Sequence, residues 1–161
     1  MRSHEFERLY EAHSGRLLAF LVYRTGDRAL AEDLLADTFE RVLRSGRGFD
    51  RRKSSESTWI YAIALNRLRD HGRRKGAESR ALDRKAVGAS TEADSPTEQV
   101  GTRDALRRAL ATLSDEEREA IALRYGAELT MPEIAKLSKQ KLTTVEGRVY
   151  RALRKLRDEL G

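Results

Sequence analysis

The chain has no cysteine, only two prolines and an aromatic content of 6%. Without cysteine there can be no disulfides, thiol redox switching or Cys-ligated zinc, which fits a reducing, cytoplasmic setting. No run of about 18 apolar residues occurs. The N-terminal stretch MRSHEFERLYEAH also lacks an apolar signal-peptide core. Neither membrane insertion nor export by a recognisable signal is therefore expected. His4, His13 and His71 are scattered, with no HExxH or Ser/His/Asp pattern, and Gly46, Gly48, Gly72 and Gly76 form no GxxxxGK[ST] phosphate loop. No catalytic constellation is visible. The chain is not expected to be an enzyme or to carry a cofactor or metal.

What it has is charge. Charged residues make up 36% of 161, against 39% hydrophobic, and the net charge is +6. Residues 1–76 carry 16 basic and 11 acidic side chains (+5), residues 77–100 carry 3 and 5 (−2), and residues 101–161 carry 13 and 10 (+3). Two basic blocks flanking an acidic spacer suit an anionic polymer that binds both.

Apolar periodicity predicts an all-α chain of two small helical domains. Phe6, Leu9, Tyr10, His13, Leu17, Phe20 and Leu21 mark a first helix over 3–25, closed by Gly26, with Asp27 as cap of the next. The second, over about 28–45, gathers Leu30, Leu34, Leu35, Thr38, Phe39 and Val42 on one half and Glu32, Asp33, Ala36, Asp37 and Glu40 on the other. An acidic stripe in a basic domain would repel phosphate, so it serves solubility or docks a basic protein. Residues 44–56 form a basic Gly/Ser-rich loop in which Ser55 or Ser57 can cap a third helix, Ser57–Lys75. There Tyr61, Ala64, Leu65 and Leu68 face a core. Trp59, Ile63, Asn66, Arg67, Asp70, Arg73 and Arg74 share the opposite stripe. An aromatic ring, an amide and guanidinium groups together suit a nucleic-acid strand. A solvated basic face with Trp59 in a second core is the alternative.

Periodicity dies over 77–99, which reads as a flexible linker containing Pro96. Helical spacing resumes at Val100, Leu106, Ala109, Leu110 and Leu113. Three S/T-x-x-E capping boxes then follow: Ser114 with Glu117, Thr130 with Glu133 and Thr143 with Glu146. They predict three short helices, the first ended by Gly126 and the second carrying Pro132 in its first turn. The last buries Val145, Val149, Ala152, Leu153, Leu156 and Leu160, and presents Thr144, Gly147, Arg148, Arg151, Arg154 and Lys155 outward. This is the pattern of a helix-turn-helix over 100–161, its last helix suited to the DNA major groove. A three-helix bundle with a solvated basic face is the alternative.

In this order the parts resemble the extracytoplasmic-function sigma factors, the compact members of the sigma-70 family. AEDLLADTF (31–39) resembles their polymerase-docking helix and STWIYAIALNRLRDHGRR (57–74) their promoter-melting, −10-recognition helix. LSDEEREAIALRY (113–125), LTMPEIAKL (129–137) and TTVEGRVYRALRKLRDEL (143–160) resemble the −35-binding domain. The resemblance implies a region 2-like domain over 1–76, a linker over 77–99 and a region 4-like domain over 100–161. It implies core RNA polymerase and promoter DNA as partners and leaves open an anti-sigma factor. The implied polymerase contacts are Glu32, Asp33, Asp37 and Glu40. The implied −10 contacts are Trp59, Asn66, Arg67, Arg73 and Arg74, and the implied −35 contacts are Thr144, Gly147, Arg148, Arg151, Arg154 and Lys155.

Three positions depart from the family pattern. Ala36 replaces a glutamine, Ser138–Lys139–Gln140 replaces a leucine–glycine–apolar turn, and Glu146 stands where a neutral or basic residue is usual. Glu146 is expected to cap rather than to contact a base. Two rivals remain: a helix-turn-helix regulator that does not initiate transcription, and a sigma-like protein that binds polymerase without starting it.

Overall fold

The computed structural model describes residues 1–46, 49–89 and 100–161, with side chains described for 1–46, 49–72 and 101–161. Among them every regular element is helical, and the chain divides into two compact units, Met1–Thr91 and Glu92–Gly161.

The first unit packs α1 (Ser3–Thr25), α2 (Arg28–Ser45) and α3 (Glu56–Ala89). Gly26 takes the left-handed conformation (φ 69°) and its N–H returns to the Val22 carbonyl, ending α1 where a side chain would be strained. Asp27 then accepts the Leu30 N–H at 3.1 Å and opens α2. Ser55 caps α3, its Oγ accepting the Thr58 N–H at 3.1 Å. The core is built from Leu9, Leu17, Phe20 and Leu21 of α1, Ala31, Leu34, Phe39 and Val42 of α2, and Ile60, Tyr61, Ala64 and Leu65 of α3. Ile60 is fully buried although the periodic stripe passed it over, and Leu68 is only half-buried. Because α3 packs against both α1 and α2, its buried face is wider than one stripe.

A carboxylate ties the start of α3 to its surroundings. Glu56 accepts from Arg8 Nη2 at 2.7 Å and Nη1 at 3.3 Å, with Arg51 at 3.4 Å and His13 at 3.5 Å. The Arg8 hydrogen bond outweighs burial and holds the Glu56 carboxyl below its ordinary range. His13 thus lies beside this carboxylate rather than in the apolar core.

α3 runs to Ala89, past Gly76, where the sequence predicted the linker to begin. The reason is propensity. No proline occurs before Pro96, and Ala, Glu, Leu, Lys and Arg dominate 77–89, so the backbone stays helical after the packing stripe has ended. The rest of the expected linker, 90–99, lies outside the described residues, as do Arg47 and Gly48.

The second unit contains α4 (Val100–Ala111), α5 (Asp115–Ile121), a π-helical turn (Ala122–Gly126), α6 (Met131–Ser138) and α7 (Leu142–Leu160). Ser114 with Glu117 and Thr130 with Glu133 form complete capping boxes. In the wide π turn the Ala127 N–H reaches back to the Ala122 carbonyl at 2.9 Å. Leu123, Leu129, Ile134, Val145, Val149 and Ala152 fill the core. The apolar stripe of α7 thins toward its end: Leu153 and Leu156 are half-buried and Leu160 is exposed.

The third capping box does not form. α7 begins at Leu142 after Lys141, which makes no side-chain cap, so Thr143 already lies inside the first turn. The expectation that Glu146 closes a box with Thr143 is therefore corrected. The turn before it explains the shift. Gln140 N–H bonds the Ala135 carbonyl at 2.9 Å and Lys139 N–H the Lys136 carbonyl at 3.3 Å, a Schellman closure with Lys139 left-handed at φ 57°. The turn closes in this way with a lysine, not a glycine, in the left-handed place.

Two stability predictions follow from these sites. Lys139→Gly should stabilise the second unit by about 0.5–1 kcal/mol by relieving the left-handed strain, read as a higher denaturation midpoint. A lower midpoint would mean that the lysine side chain makes a compensating contact. In the first unit, Tyr61 is 1% exposed and packs edge-on to Phe20 at 5.5 Å. Burial pushes its phenol up to about 12. Its hydroxyl has no hydrogen-bond partner among the described residues. Tyr61→Phe should therefore leave stability unchanged or raise it by up to about 1 kcal/mol, and a clear loss in thermal melting would show that the hydroxyl is bonded.

Candidate nucleic-acid and polymerase interfaces

The acidic stripe of α2 faces outward, but its carboxylates are not equivalent. Glu32 pairs with Arg28 at 3.2 Å and Glu40 with Arg44 at 3.1 Å, both exposed pairs one turn apart on the same helix. Such pairs contribute little to stability and leave the carboxylates accessible. Asp33 is exposed, and no ion pair to it is found among the described residues. Asp37 lies 3.5 Å from Arg67 of α3.

That last contact alters the expected DNA face. Arg67 was placed with Trp59 and Asn66 on the outer stripe of α3. In the structure its side chain is only 17% exposed, with Nη2 toward Asp37 and Nη1 3.4 Å from Asp70. The guanidinium lies across the α2–α3 seam because two carboxylates meet it there. Arg67 thus ties α3 to α2 across that seam. Asn66 is exposed. Trp59 is half-buried, and its indole stacks on Phe49 with centroids 4.6 Å apart and planes 19° off parallel. Phe49, which periodicity did not single out because it lies in a loop, fixes the orientation of that ring. Arg73 and Arg74 lie on the α3 backbone, but their side chains fall outside the described residues.

In the second unit, α6, the turn at 139–141 and α7 form the helix-turn-helix. Thr144, Gly147 and Arg148 are half-exposed, while Arg151, Arg154 and Lys155 are exposed. Two of these cations converge on a residue whose reach the sequence did not reveal. Glu117, seen there only as a capping partner, accepts from Lys155 Nζ at 2.8 Å and lies 3.7 Å from Arg151 Nε. No local signal could have found this, since 34 to 38 residues separate the partners. Glu146 is half-buried just beyond the first turn of α7, so neither a capping box nor the helix dipole accounts for it. Tyr125 and Tyr150 are further exposed aromatics, 52% and 56% accessible.

Comparison with known proteins agrees with this layout. The chain matches Sigma-70 region 2 over residues 9–78 and Sigma-70 region 4 over residues 103–156. It is 31% identical to the ECF RNA polymerase sigma factor BldN of Streptomyces coelicolor, over 94% of this chain and 58% of that protein. It is also 31% identical to the RNA polymerase sigma factor CarQ of Myxococcus xanthus, over 97% of this chain and 89% of that protein. Among solved structures, the sigma factor RpoE of Bartonella quintana, determined in complex with the anti-sigma factor NepR, superposes with a TM-score of 0.77 at 25% identity. That match covers 97% of this chain and 96% of the other. Two helical units in this order, an acidic α2 beside a Trp/Asn helix and a helix-turn-helix after them, together with these matches, lead to one conclusion: the chain belongs to the extracytoplasmic-function sigma factors of the sigma-70 family.

Proposed function

We propose that the protein binds core RNA polymerase through the outer face of α2 and directs it to promoters, where α3 engages melted −10 DNA and α7 the −35 element. It acts in the cytoplasm as a specificity subunit, and the chemistry of transcription belongs to the polymerase. An anti-sigma factor is a further partner, by analogy with RpoE, which was solved bound to one. The observation that carries this reading is a juxtaposition in the first unit. An outward carboxylate stripe on α2 adjoins the Trp59/Asn66 face of α3, and the Arg67–Asp37 ion pair joins them. A plain DNA-binding regulator has no use for the acidic half of that arrangement. A pull-down with core polymerase, followed by run-off transcription, separates the classes: a regulator does neither, and a non-initiating homologue binds without producing transcript.

The docking face is best tested at Asp33, since Asp37 also holds Arg67 and its replacement would disturb the α2–α3 seam. Asp33→Lys should weaken association with core polymerase while changing stability by less than about 0.5 kcal/mol. Co-purification equal to wild type would remove α2 from the interface.

Melting is tested at Trp59. Base–aromatic stacking contributes about 1–3 kcal/mol by alanine substitution, so Trp59→Ala should spare polymerase binding and depress open-complex formation in permanganate footprinting. Loss of folding instead would assign the indole to packing against Phe49 alone.

A further inference from the structure

Glu117 holds more than a capping N–H. It is 5% exposed, and donors from two elements converge on its carboxylate: the Ser114 N–H at 2.9 Å and Lys155 Nζ at 2.8 Å on Oε1, and Arg151 Nε at 3.7 Å from Oε2. Burial alone would push this carboxyl up, but the Lys155 and Ser114 hydrogen bonds hold it below its ordinary range. It is an anion at neutral pH, set under the outer face of α7.

The two cations meet it differently. Lys155 directs its compact ammonium onto Oε1. Arg151 approaches with Nε, the inner nitrogen of its fork, and its side chain remains 56% exposed. The contact between the two side chains runs from Nε to Oε2 at 3.7 Å. Gly147, one turn earlier, completes the seat: a Cβ there would lie 3.1 Å from Arg151 Nη1 and 3.8 Å from Cζ. The guanidinium lies back across this glycine, with the Glu117 carboxylate on its Nε side.

A phosphate contact needs charge and tolerates a mobile side chain. A bidentate contact to guanine O6 and N7 needs a planar fork fixed in direction. The geometry points to Glu117 as a positioning residue that, together with the space left by Gly147, sets Arg151 to read a guanine in the major groove, with Lys155 as the counter-ion of Glu117. This inference rests on the reading of α7 as the DNA-recognition helix.

The test uses the full chain assembled with core RNA polymerase and a promoter library randomised over the −35 region. Arg151→Ala identifies the base pair whose preference depends on that arginine. Glu117→Gln retains an acceptor for the Ser114 N–H and removes the charge. It should reduce guanine preference at that pair by about tenfold while leaving preference elsewhere intact. Freed from its counter-ion, Lys155 should make the dependence of log K on log salt steeper by up to about one. Gly147→Ala should lose the same preference by displacing the fork. It should melt no lower than wild type, since alanine is the better helix former. Loss of specificity without loss of stability is what a purely structural role would not produce. If both variants keep the guanine preference that Arg151→Ala loses, or weaken all sequences equally, the positioning role is overturned. If Glu117→Gln does not fold, Gly147→Ala decides alone. If Arg151→Ala itself leaves promoter binding unchanged, the reading of α7 falls and the inference with it.

Discussion

In both units of this protein a carboxylate in the first turn of a helix gathers basic side chains from elsewhere in the chain. Glu56 at the start of α3 collects Arg8, His13 and Arg51. Glu117, in the first turn of α5, collects Lys155 and Arg151. The position matters. The first turn offers unpaired N–H groups and the positive end of the helix dipole, so a partly buried carboxylate is stabilised there before any cation arrives. The cations then fix which neighbouring element lies against that turn. Arg67, between Asp37 and Asp70, does the same from the opposite sign.

These ties change what the net charge means. A balance of +6 suggests a surface broadly available to phosphate. In the structure several of the cations on the presumed nucleic-acid faces already have carboxylate partners, and those partners are held by helix geometry. Arg67 turns into the α2–α3 seam, and Lys155 points into the α5–α7 contact. Among the described side chains of those faces, Asn66 and the Trp59 edge point outward in one unit, and Arg148, Arg154 and the exposed part of Arg151 do so in the other.

The helices were legible where the signal is local. Gly26 followed by Asp27 placed the end of α1 and the start of α2, and the S/T-x-x-E boxes at Ser114 and Thr130 placed α5 and α6. The box at Thr143 misled for a physical reason. Whether a threonine caps depends on where the preceding turn releases the chain, and the left-handed Lys139 starts α7 at Leu142. Ile60 was missed because a single stripe assumes one packing partner, and α3 has two. The limits of the linker were also obscure, because loss of apolar periodicity reports the end of packing and not the end of the helix. The candidate faces could be read as residue types, but their geometry could not. The tethers of Arg67, Arg151 and Lys155 join residues far apart in sequence, and no periodicity encodes them.

The π-helical turn at Ala122–Gly126 bears on how this unit tolerates changes in length. An α-helix that gains one residue swings every later side chain by about 100° around its axis, carrying apolar positions out of the core. A π turn holds one residue more per loop of backbone, so it absorbs such a residue locally and returns the chain in phase. Here the wide turn lies between Ala120 and the buried pair Ala127 and Leu129, directly before the segment that leads into α6. A residue gained or lost there should be taken up by the turn and by the short connection at 127–130, before α6 begins at Met131.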